Sequence, residues 1–336
     1  MASRGVVRKM VRGAFEQLPE SVRQDIKNKR AEMTGLGQLK ANQSFLALRL
    51  AEIERRLNGT LPAPEAVADP RFPETVRSRL CTQEQIEEPW FEKWCDAMGE
   101  PPTAHRKSWE FAYIAQVMDA MGLMEPGRRA LGFGVGREPL ISLFANRGVE
   151  VTATDLEPES SEAKGWIRSD QHAHSVDDIL RPGVCDPDEF RRLVSWRPAD
   201  MNAIPADLRD YDFCWSACAL EHLGTFDAGL DFIENSLATL RPGGIAVHTT
   251  EFNVWSNDET IDSGPTIVYR QRDMEALKER LEAKGHEVAA FDWSRGEGLL
   301  DKYVDVPPYA DEPVLRFWYA NHTLTSVGIV VRRGTS

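Results

Sequence analysis

The 336-residue chain has no run of about 18 apolar residues, the length a membrane-spanning helix requires, so no transmembrane segment is predicted. It also lacks a basic excess: 40 Lys and Arg stand against 53 Asp and Glu, a formal net charge of −13. Nucleic-acid binding needs a positive footprint, so that partner class is set aside. Cysteine is scarce. Five occur, an odd number without zinc-ribbon spacing, and they read as free thiols of a reducing compartment. Met1–Arg12 has neither the apolar block nor the small-residue cleavage site of a secretory signal, which points to the cytoplasm. No metal is expected, because no third ligand accompanies the alternating His172 and His174. Apolar residues, at 42%, are plentiful enough for a sizeable core.

Residues 1–30 depart from the overall charge, with eight basic and three acidic side chains. Val7, Met10, Val11, Phe15 and Leu18 recur at helical spacing beside Arg4, Arg8 and Arg12. Such a helix either lies on an anionic membrane surface, at its inner face, or docks on its own protein. From Leu36 the spacing alternates three and four through Leu39, Gln43, Leu46, Leu50, Ile53 and Leu57. That heptad stripe must bury itself against another helix, from this chain or from a second protomer, which makes residues 36–57 a candidate homo-oligomer contact. Gly59 ends it, and Pro62, Pro64, Pro70 and Pro73 mark a linker. The division expected is a helical extension over 1–60, a linker with helices over 61–104, and a larger domain over 105–336. Residues 74–123 read as helices, with Trp90, Phe91, Trp94, Trp109, Phe111 and Tyr113 packing on that domain and one or two of them lining a pocket.

Beyond residue 128 strands alternate with helices. Strands are predicted over Arg128–Phe133, Glu150–Thr154, Leu193–Arg197, Tyr211–Trp215, Ile245–Thr250, Glu287–Trp293 and Thr325–Arg332. Helices are predicted over Glu138–Arg147, Phe226–Leu240 and Arg272–Lys284. This order implies an α/β fold with a doubly wound, mostly parallel sheet, whose ligand sits beyond the carboxyl ends of the strands.

The first strand runs into Leu131-Gly132-Phe133-Gly134-Val135-Gly136-Arg137. Alternate glycines allow a tight turn and a close approach to a ligand. A dinucleotide fingerprint would place its third glycine where Arg137 stands, which argues against a nicotinamide dehydrogenase. Nineteen residues after Gly136, Asp155 ends the second strand, where a carboxylate takes both hydroxyls of a ribose. Asp200-Met201 follows the third strand, Ala219-Leu220-Glu221-His222-Leu223 the fourth, and Arg241-Pro242-Gly243-Gly244 leads into the fifth.

In this order and spacing the set resembles the class I S-adenosylmethionine-dependent methyltransferases over about residues 105–333. The resemblance implies a Rossmann-like sheet of seven strands, the last antiparallel and inserted between the fifth and sixth, with S-adenosyl-L-methionine as cofactor. It implies Gly132, Gly134 and Gly136 against the methionyl and ribose parts, Asp155 on the ribose, Leu156 and Met201 around adenine, and Asp200 on its edge. Trp215 and Ser216 would flank the methionine end. One departure stands out: the family's carboxylate two residues before the first glycine is Ala130 here, which removes that contact to the cofactor's amino group unless another acid substitutes.

The wider phrasing is similar to bacterial methyltransferases of surface-glycan and glycolipid assembly, which implies O-methylation of a sugar-containing acceptor. N- or O-methylation of a small secondary metabolite and a non-catalytic cofactor-binding scaffold are the alternatives. A hydroxyl nucleophile benefits from a general base, and three candidates stand at strand ends or in the insertion after strand two: His222, His172 and Glu251.

Overall fold

The computed structural model of the chain describes residues 20–58, 69–157 and 175–335, with side chains from residue 35 onward. The amphipathic stretch Val7–Leu18 and His172 lie outside the described residues. Among the described residues ten helices run in chain order: α1 (Glu20–Asn58), α2 (Gln83–Glu87), α3 (Pro89–Ala97), α4 (Arg106–Ala120), α5 (Leu140–Asn146), α6 (Val176–Ile179), α7 (Pro187–Leu193), α8 (Phe226–Ser236), α9 (Gln271–Ala283) and α10 (Leu299–Lys302). The strands are β1 (Ser78–Leu80), β2 (Arg129–Phe133), β3 (Glu150–Asp155), β4 (Val194–Pro198), β5 (Tyr211–Ala217), β6 (Leu240–Asn253), β7 (Glu287–Val288), β8 (Phe291–Asp292), β9 (Phe317–Tyr319) and β10 (His322–Arg332).

All ten strands form one sheet in the order β4-β3-β2-β5-β6-β10-β1-β8, with β7 and β9 also paired to β10. The pairs β4-β3, β3-β2, β2-β5 and β5-β6 are parallel, and β10 runs antiparallel to β6. The fold is therefore the doubly wound, mostly parallel α/β sheet expected, with an antiparallel strand inserted next to β6. Strand order reverses between β2 and β5, the place where such sheets open a ligand crevice.

Period-two alternation divides the side chains between two faces. On β5, Phe213 and Trp215 join one core and Cys214 the other, while a register irregularity between Tyr211 and Phe213 leaves Tyr211 with Cys214. The first core holds Trp94, Trp109 and Ile114 of the helices before the sheet, with Phe144 of α5. The second holds Phe232 and Ile233 of α8 and Met274 and Leu277 of α9. Both faces are covered, which explains why the central strands read as near-continuous apolar runs.

The sheet departs from the predicted seven strands in one region. The single strand expected over Glu287–Trp293 is two short strands, β7 on β10 and β8 on β1. The intruder is β1, three residues within a segment read as helical, which pairs antiparallel with β10. The helix α4 then lies across β10, close enough that Gly328 is required: a Cβ there would sit 2.1 Å from the Tyr113 ring. Tyr113 is held in place by stacking on Trp109, centroids 4.8 Å apart, and by donating its hydroxyl to the Arg77 carbonyl at 2.6 Å. Gly328→Ala should therefore overpack this contact and lower the unfolding free energy by about 1–3 kcal/mol, measured by urea denaturation.

Candidate active site

A cavity of about 1180 Å³ opens at the carboxyl ends of β2, β3, β4 and β5, at the point where strand order reverses. One wall is the turn 134–139 after β2. Gly134 and Gly136 take φ of +57° and +49°, left-handed values that a side chain would strain. A Cβ on Gly134 would also meet Ala219 at 2.9 Å and the Met201 sulfur at 3.3 Å. The turn is tied to the next strand by Asp155, whose carboxylate accepts from the Gly136 amide at 3.0 Å and the Leu156 amide at 2.8 Å.

Gly134, Gly136, Asp155, Leu156, Asp200 and Met201 all line this cavity, brought together from three strand ends. Gly132, Trp215 and Ser216 do not line it. Gly132 is a packing glycine instead: its missing Cβ leaves room for the Trp215 ring, which would be 2.6 Å away. Trp215 therefore lies behind the turn, fully buried, and donates its indole N–H to Glu138. Ser216 faces the other way across the sheet. Its hydroxyl bonds Nδ1 of His248 at 2.8 Å, and Nε2 of His248 reaches the Ser236 hydroxyl at 3.1 Å. Burial lowers His248 to about 3, so it is neutral and structural.

Glu138 is a cavity residue that motif reasoning missed. Burial pushes its carboxyl up to about 8, against the lowering effect of the Trp215 hydrogen bond and with a further rise from Asp155. It is thus a neutral acid at pH 7 until a cation arrives beside it. Its signal in the sequence was weak, because it lies past the glycines rather than before them.

The floor of the cavity meets a buried polar cluster centred on Glu110 of α4. Glu110 accepts from Ser326 at 2.5 Å, the Cys218 thiol at 3.0 Å and Arg106 at 3.1 Å, with Lys107 at 3.4 Å. Burial favours its neutral form, but Lys107 and Arg106 outweigh burial and hold the carboxyl below the usual range. Cys218, at the end of β5, takes φ of +45°, a left-handed value rare for a residue with a side chain. Its thiol is raised well above the ordinary value by burial, with Glu110 and Glu221 adding to it.

Glu251 belongs to this cluster and not to the cavity wall. Arg106 reaches it at 2.7 Å and holds it behind Cys218, so the expected position at the acceptor is corrected. Burial lifts Glu251 to about 7 despite Arg106. Ligand atoms of Cys218, Glu221 and Glu251 lie within 4.8 Å of one another, but the Arg106 guanidinium already supplies the cation there, 3.7 Å from the Cys218 sulfur. His222 does line the cavity. Its Nδ1 lies 2.6 Å from the Pro265 carbonyl, an acceptor only, so Nδ1 carries the proton and Nε2 is the basic nitrogen.

The wall opposite the glycine turn comes from the helices before the sheet, through Met98, Glu100, Lys107, Ser108 and Phe111. The polar stretches 255–269 and 301–311 supply no lining residue. Tyr269 is buried in the second core, and Tyr309 is held by the Trp318 carbonyl at 2.9 Å.

No family model matches the sequence, and no curated protein matches it. Among solved structures the chain is similar to magnesium protoporphyrin IX methyltransferase from Synechocystis PCC 6803 with bound SAH, at 10% identity over 75% of this chain and 98% of that one, TM-score 0.41. It is also similar to the glycopeptide N-methyltransferase MtfA complexed with S-adenosyl-L-methionine, at 12% identity over 68% and 95%, TM-score 0.40. A third similar structure is the CcbJ methyltransferase from Streptomyces caelestis, at 14% identity over 70% and 98%, TM-score 0.38.

Glu110→Gln should remove the anion that pairs Arg106 and Lys107 in a buried setting, at a cost of roughly 3–5 kcal/mol in urea unfolding at pH 7. The stability that a depressed carboxyl supplies is lost as pH falls through its folded value, so the gap between the two proteins should narrow in acid.

Proposed function

We propose that this protein is an S-adenosylmethionine-dependent methyltransferase that methylates a hydroxyl of a sugar-containing acceptor, in the assembly of a surface glycan or glycolipid. The observation that carries the reading is the meeting, at the switch point of the sheet, of two left-handed glycines, the ribose-type carboxylate Asp155 and the buried acid Glu138.

The residues fit the cofactor. The Gly134 cradle would be filled by a Cβ, which is the clearance a ligand needs. Asp155 stands on the cavity wall at the end of the second parallel strand, where a carboxylate accepts from the hydroxyls of a ribose. Met201 and Leu156 offer apolar surface for adenine, and Asp200 an acceptor at its edge. Glu138 would take the part of the acid missing at Ala130 and hold the ammonium of the methionyl group. S-adenosylmethionine supplies a methyl group on a positive sulfur, which the protein need not activate further.

What remains for the chain is to orient a nucleophile, exclude water and hold a proton. His222 does the last: its Nε2 receives the hydroxyl proton while the Pro265 carbonyl keeps the ring in the correct tautomer. Phe111 offers a flat apolar face, with Ser108, Lys107 and Glu100 around it, a surface suited to a hydroxyl-rich ring. No helix among the described residues is long and apolar enough to cross a membrane. We place the reaction in the cytoplasm, where glycan precursors on the inner membrane face would be in reach.

Calorimetry with S-adenosylmethionine and NADH tests the cofactor. Micromolar binding of the former alone is expected; no binding by the folded protein would end the reading. Binding at pH 7 should release close to one proton, because an ammonium beside Glu138 favours the ionised form of an acid standing at about 8. Comparison across buffers of different ionisation enthalpy reads that proton. Glu138→Gln should abolish the release and weaken binding about tenfold. His222→Ala should lower kcat by roughly 10²–10⁴ with cofactor affinity kept, and full turnover would remove it as the base.

A further inference from the structure

The heptad stripe of α1 faces outward. Leu36, Leu39, Leu46, Leu50, Ile53 and Leu57 are 49–78% exposed, and Phe45 beside them is 61% exposed. The face turned to the protein body is instead small: Ser44, Ala47 and Ala51 are buried. An amphipathic helix that docks on its own core hides its leucines, and this one hides its alanines. The arrangement is held firmly. Lys40 pairs with the buried Asp305 at 2.5 Å and donates to the Val306 carbonyl at 2.6 Å, and Glu54 accepts from the Leu299 amide at 3.2 Å.

The exposed stripe is a continuous apolar patch of several hundred Å², the size at which an exposed patch marks an interaction surface. We infer that α1 pairs with α1 of a second copy of this chain as a parallel, in-register coiled coil over residues 36–57. Two features select this occupant. The spacing of three and four is the one that lets two helices interlock over successive turns. Gln43, exposed in the seam, meets another Gln43 in a parallel register, whereas an antiparallel pairing sets it against leucine.

Sedimentation velocity on the full chain, from about 1 to 50 μM, gives the test. The expected mass is twice 37.8 kDa. The double variant Leu46→Glu with Leu50→Glu should sediment as one chain while keeping its far-ultraviolet circular dichroism and melting temperature, since both residues point away from the body. Gln43→Cys should cross-link two chains under mild oxidation. A wild-type protein that stays monomeric at 50 μM overturns the proposal, as does a dimer that survives the double substitution. Capture of the monomer by phosphatidylglycerol vesicles through this stripe, lost in the double variant, overturns it in favour of a lipid surface.

Discussion

Everything near the cavity depends on the carboxylate of Glu110. It stands at the centre of a cluster contributed by α4, β5, β6 and β10, elements far apart in sequence. A buried anion is unfavourable alone, and the cluster persists because Arg106, Lys107, Cys218 and Ser326 satisfy it together. The same bonds clamp the start of α4 onto the sheet. They also hold the chain after β5 in the left-handed turn at Cys218, which places the following segment, with His222, on the cavity rim.

Much of the sheet was legible because its central strands are buried on both faces and its turns need glycine or proline. The ends of β2, β3 and β4 converge on residues that the glycine turn, Asp155 and Met201 had marked. The misses have physical causes. The strand β1 spans three residues, too few to show a period, and exists only because β10 offers it an edge. Trp215 and Ser216 followed the correct strand but not its pleat. With two faces available, one turns into the core beside Gly132 and the other toward His248. Glu251 was placed correctly at the end of β6, yet its partner Arg106 comes from 145 residues earlier, a pairing no local pattern reports.

The opposite wall teaches the same point at a larger scale. The polar loops after β6 and α10 stay away from the cavity, and the helices before the sheet close over it. Their aromatics read as packing residues, and most are. Phe111 differs from its neighbours Trp109 and Tyr113 only in which side of α4 it occupies: they turn toward the core, it turns toward the cavity. Helical phase relative to a sheet not yet assembled is what sequence alone could not supply.

The thiol at the cavity wall has a consequence for the protein's own survival. Cys218 faces the cavity, and it is the thiolate, not the thiol, that reacts with electrophiles. Its burial among carboxylates, with Glu110 accepting the S–H, keeps the sulfur protonated and poorly nucleophilic. The acidic cluster that anchors α4 thereby also keeps the cavity's own thiol inert.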